Sequence, residues 1–117
     1  MKTENTPKTT NETPEWVLEK VEQLKKEHAL KDVFVASAVD EEDKPLYCFL
    51  KKPTRQVISA SQSVLSMNDP VRSDEILLAG CWLDGDSRFK DDDDYFFGVI
   101  PTLRTIVSYK VAQLKKY

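Results

Sequence analysis

DVFVASAVDEEDKPLYCFLK, residues 32–51, decides the fold class. Asp32–Val39 is apolar and β-branched with no glycine or proline, and Leu46–Lys51 has the same character. Between them, Asp40–Pro45 (DEEDKP) is acidic and turn-forming. The pattern predicts a β-hairpin, with strands over 32–39 and 46–51 and a loose loop. Two strands alone are marginal in water, so helices, a further strand or a second copy must cover them.

Working upstream, Thr13-Pro14-Glu15 reads as a helix start, with Thr13 as N-cap and Pro14 at the first position. At the helical period, Val17, Val21, Leu24 and His28 fall on one stripe, which predicts a helix over 14–28. Trp16 points elsewhere. Residues 1–13, MKTENTPKTTNET, have no large apolar side chain after Met1 and cannot offset the entropy of ordering. They are expected to be a mobile tail before one α+β domain over 14–117.

Downstream, Pro53-Thr54 ends the hairpin and opens a helix over 54–67, with Val57, Ile58, Val64 and Leu65 on its stripe and Ser61 inside it. Asp69 and Pro70 then cap and start a third helix, 70–83. Its second half, Ile76–Leu83 (ILLAGCWL), carries no charge and is apolar all round. Such a run is either central to a core or covered by a partner. A buried strand is the alternative that period cannot separate, and the Asp-Pro cap favours helix. Asp84–Lys90 reads as a turn. A last helix is expected over 92–116, kinked at Pro101, with Phe96, Val99, Ile100, Leu103, Ile106, Val107, Val111 and Leu114 inward.

Composition narrows the function classes. The net charge of −3 leaves no global basic surface for a phosphate backbone, so nucleic acid is not an expected partner. The basic group Lys51, Lys52 and Arg55 reads as a solvated strand end. No apolar run reaches the ~20 residues of a membrane span. The polar N-terminus lacks a signal-type apolar segment, so a cytoplasmic location is expected. Cys48 and Cys81 each sit among large apolar residues and read as buried free thiols. Three glycines form no phosphate cradle, and no cofactor is expected.

No metal and no catalytic residue is expected either. Asp84, Asp86 and Asp91–Asp94 suggest a calcium loop, but the twelve-residue register ending in glutamate is missing. Helix capping explains them, since acids at a helix start and the later Arg104, Lys110, Lys115 and Lys116 both favour the macrodipole. His28 is the sole histidine and sits at a helix end. What remains is a surplus of large side chains outside the predicted stripes. Trp16, Ile76, Leu77, Trp82, Tyr95, Phe97 and Tyr109 are therefore the candidate partner-binding residues.

From Leu46 onward the chain resembles small prophage-encoded proteins of the tail-assembly-chaperone-like kind. The residues that carry the resemblance are Tyr47-Cys48-Phe49-Leu50-Lys51-Lys52-Pro53-Thr54-Arg55, Asp69-Pro70 with Glu75-Ile76-Leu77-Leu78, and Cys81-Trp82-Leu83-Asp84-Gly85-Asp86. Asp94-Tyr95-Phe96-Phe97 and Lys110-Val111-Ala112-Gln113-Leu114-Lys115-Lys116 complete it. The resemblance implies a homo-oligomeric chaperone that coats a long helical tape-measure protein during tail assembly, with an apolar helix laid in a groove. The expectation is thus a non-enzymatic protein-binding chaperone or adaptor. The alternative is a small acidic regulator or inhibitor that mimics nucleic acid and binds a basic protein through Asp40–Asp43 and Asp84–Asp94.

Overall fold

A computed structural model describes residues 13–107 and 112–117. The chain divides into two compact units, Met1–Val33 and Phe34–Tyr117. In the first unit the expected mobile tail lies, through residue 12, outside the described residues. The helix α1 spans Glu15–Glu27. Its N-cap is Pro14 and not Thr13, because Pro14 has an extended ψ of 147° and its carbonyl accepts from the Val17 and Leu18 amides. Val17 and Leu24 on the predicted stripe are buried, whereas His28 is exposed. The helix closes when the Leu30 amide donates to the Lys25 carbonyl at 2.9 Å, with Ala29 left-handed at φ 54°.

The second unit is α+β, as the hairpin and the capped helices imply. In chain order it contains β1 (Phe34–Val39), β2 (Pro45–Leu50), α2 (Arg55–Leu65), α3 (Pro70–Cys81), β3 (Trp82–Gly85), α4 (Arg88–Asp91) and α5 (Asp93–Ile106). The three strands form an antiparallel sheet in the order β1-β2-β3. The hairpin register runs from Phe34 opposite Leu50 to Val39 opposite Pro45. Asp40 fixes the turn, its carboxylate accepting from the Glu42 and Lys44 amides at 2.8 and 2.9 Å.

Strand alternation decides which side is covered. Ala36, Leu46, Cys48 and Leu50 point into a core shared with Leu77, Leu78 and Cys81 of α3 and Phe96, Val99, Ile100, Leu103 and Ile106 of α5. On the other face Val35 and Val39 remain exposed, while Phe49 is buried.

Three expectations are corrected. The helix over 70–83 ends at Cys81, and Trp82–Gly85 is a third strand. The uncharged run thus serves two elements: Leu77, Leu78 and Cys81 bury one helical face, and Trp82 then turns extended (ψ 128°) to pair with Leu50. Leu83 is the extra residue of a bulge, since Asp84 faces Phe49 and Trp82 faces Leu50. Gly85 permits this pairing. Its φ is 145°, and a β-carbon there would lie 2.5 Å from the Cys48 α-carbon.

The turn expected over 84–90 contains α4, closed by the Asp91 amide donating to the Ser87 carbonyl. The last helix stops at Ile106, short of residue 116. It runs through Pro101 without a break. Residues 108–111 lie outside the described set, and 112–117 are not helical. Leu114 is 98% exposed, so this stretch buries no apolar stripe to offset the cost of helix formation.

The two corner helices behave as capped. Thr54 Oγ1 accepts from the Val57 amide, and Asp69 accepts from the Arg72 amide with Pro70 at the first helical position.

Candidate functional site

The helices α2 and α3 form an antiparallel pair around a left-handed Asn68 (φ 65°). Two contacts fix their register. Ser61 and Ser73 share a buried hydrogen bond of 2.7 Å, and Gly80 lies against Val57. That register brings Ile58 and Leu77 to one side of the pair. On α2, Ile58, Ser61, Gln62 and Leu65 form one helical row at three- and four-residue spacing.

Ile58, Ser61, Gln62 and Leu77, with Arg104 from α5 and Val107 at its C-cap, line a groove of about 270 Å³. At its rim Arg104 donates to Asp74 at 2.8 Å, an exposed pair worth about 0.5 kcal/mol. The row continues into an open corner, where Leu65 is 50% exposed, Met67 69% and Val71 44%. Apolar side chains concentrated this way at a surface mark an interaction site more often than scattered ones do.

The sequence-derived binding residues do not gather into one patch. Leu77 belongs to the core and reaches only the groove floor. Ile76 is half-buried on α3. Trp82 is half-buried in β3, with the Lys90 ammonium 4.6 Å from its ring centre. Tyr95 packs edge-on to Phe89 at 6.2 Å, with the Arg88 guanidinium 5.8 Å from its ring. Phe97 is exposed on α5 and edge-on to Phe96 at 5.1 Å. Trp16, in the other unit, is 55% exposed, and Tyr109 lies outside the described residues. Sequence reading missed Met67 and Val71, and it assigned Leu65 to a buried stripe. The available signal was that all three flank one Asn-Asp-Pro corner.

The acidic loops are tied together by Arg88. Its guanidinium donates to both oxygens of Asp86, at 3.0 and 2.9 Å, and reaches Asp40 of the hairpin loop at 3.7 Å. The Arg88 hydrogen bonds hold the Asp86 carboxyl below its usual range, and the Lys44 amide does the same for Asp40. Burial shifts the thiols the other way, Cys48 to about 12 and Cys81 to about 11.

These shifts bear on chemistry. A general acid needs a raised carboxyl, and a nucleophilic cysteine needs a lowered thiol. Both pairs are displaced in the opposite direction. No set of three potential metal-binding side chains converges among the described residues, and no described helix is long and apolar enough to cross a membrane. Comparison with protein-family models, curated proteins and solved structures finds no match.

Proposed function

We propose that this chain is a non-enzymatic protein-binding adaptor, of the tail-assembly-chaperone kind that its sequence resembles, which takes the apolar face of an amphipathic helix in the α2–α3 groove. One observation carries the reading: the row Ile58–Ser61–Gln62–Leu65 leads from a partly lined groove to an open apolar corner at Met67 and Val71. Helix-in-groove recognition uses anchors at this spacing on both partners. A long helical tape-measure protein offers many such turns, and an oligomer would place several grooves along it.

Size-exclusion chromatography with light scattering at several concentrations tests the self-association. The expected result is a concentration-dependent oligomer that Met67→Asp weakens. A wild-type chain that stays monomeric at every concentration, and binds no amphipathic helical peptide, counts against the proposal.

A second reading draws on Arg88. By bridging Asp40 and Asp86 it supports a joined acidic surface suited to a basic protein, as a regulator that mimics nucleic acid requires. Neutralising Asp91–Asp94 to asparagine separates the two. Loss of partner binding favours the acidic regulator, and a weakened α5 start with binding retained favours the adaptor.

A further inference from the structure

A second groove lies on another side of the same unit, where β1 meets α5. Among the described residues the strand β1 is an edge of the sheet, paired with β2 alone. An edge strand leaves alternate amides and carbonyls without a ladder partner, and proteins usually blunt such edges with charge, proline or a bulge. Between Phe34 and Val39 none of these devices is present.

The space beside the strand has a cause in the sequence. Ala36 and Ala38 are small, and Gly98 faces them from α5. A β-carbon at Gly98 would meet nothing within 4 Å. The resulting cavity of about 90 Å³, lined also by Ser37, Asp94, Tyr95 and Thr102, has room for a small side chain. Among the described residues the Ser37, Asp94 and Thr102 side chains have no hydrogen-bond or ion-pair partner. At one end stands the acidic hairpin loop: Tyr95, in the groove wall, feels the negative charges of Glu41, Asp40 and Asp92 against the positive charge of Arg88.

We infer that β1 and α5 together form a docking site for an extended basic peptide segment, which adds to β1 as a fourth strand. Its backbone completes the open ladder. A small apolar side chain enters the cavity over Gly98, and a lysine or arginine meets Asp94 and Glu41 of the hairpin loop. Backbone pairing gives affinity and the alternate side chains give selectivity. Charge decides the occupant. Among the described residues no cation lines the groove, and the nearby Arg88 is engaged with Asp86 and Asp40. This site is separate from the α2–α3 groove and does not depend on it.

The test uses the full chain. A phage-displayed library of eight-residue peptides, randomised at alternate positions, is selected against it. The enriched peptide is then synthesised, its affinity read by fluorescence anisotropy and its site mapped by amide chemical shifts. The expected outcome is enrichment of lysine or arginine toward one end, with shifts confined to 34–43 and 94–102. Affinity should fall at least about tenfold with Gly98→Leu, with Asp94→Asn and with a peptide N-methylated at its strand-pairing amides. Met67→Asp should leave it unchanged, which separates this site from the adaptor groove. The inference is overturned by selection without basic residues, or by shifts elsewhere. Indifference to N-methylation, or β1 occupied by a second copy in a dimer, would also overturn it. If Gly98→Leu fails to fold, the N-methylated peptide decides.

Discussion

Replacing Gly80 by alanine tests the register that builds the adaptor groove. An added β-carbon would sit 2.4 and 2.6 Å from the two methyls of Val57, well inside the ~3.5–4.0 Å of ordinary carbon contact. Val57 cannot simply swing away, because a β-branched side chain in a helix has one strongly preferred rotamer. The helices must separate, at a cost of about 1–3 kcal/mol. Against this stands the gain of about 0.5–1 kcal/mol for removing glycine from a helix interior. Gly80→Ala should therefore destabilise by about 1–2 kcal/mol. Val57→Ala alone removes two methyls from a half-buried site and should cost a similar amount. In the double variant the alanine methyl fits where the valine methyls were, so the two effects should couple favourably by about 1 kcal/mol. Urea unfolding of the four proteins measures this cycle. Strict additivity would refute the close approach of α2 and α3 at this point.

Other outcomes follow from single features. Gly85→Ala should cost about 3 kcal/mol or more in urea unfolding, because the new methyl strikes the Cys48 backbone at a positive φ. Ala29→Gly should stabilise α1 by about 1 kcal/mol, seen as a raised Tm, since Ala29 holds a left-handed conformation that glycine adopts freely. The thiols set an alkaline limit. Their folded values are raised above the ordinary 9.0, so their contribution is full below pH 9 and is lost as pH rises toward about 11 and 12. At pH 10 each should cost about 1.4 kcal/mol, a loss that Cys48→Ala with Cys81→Ala should abolish relative to pH 8.

The parts of the fold legible in the sequence were those written in local chemistry. The β-branched hairpin, the Asp69-Pro70 cap, Thr54 and the Ser61 position inside its stripe each follow from short-range rules. The third strand was hidden because Ile76–Leu83 is apolar on every side, so neither period stands out. What ends the helix is non-local: Trp82, Asp84 and Gly85 find an open edge on β2, which no local pattern encodes. The over-long last helix shows the converse. Its amphipathic stripe was real through Ile106, but beyond Val107 nothing covers Leu114. The candidate site suffered from the same limit. Leu77 looked surplus until α5 packed on it, and the exposed trio at the Asn-Asp-Pro corner became a surface only through the antiparallel fold of two helices.

Site-specific photo-crosslinking in the source cell tests the adaptor reading most directly, with a photoreactive residue placed at Met67 and, as a control, at exposed Glu42. A discrete protein adduct at position 67, absent at position 42 and lost with Leu65→Asp, is the expected result. Equal labelling at both positions, or none at 67, would contradict it.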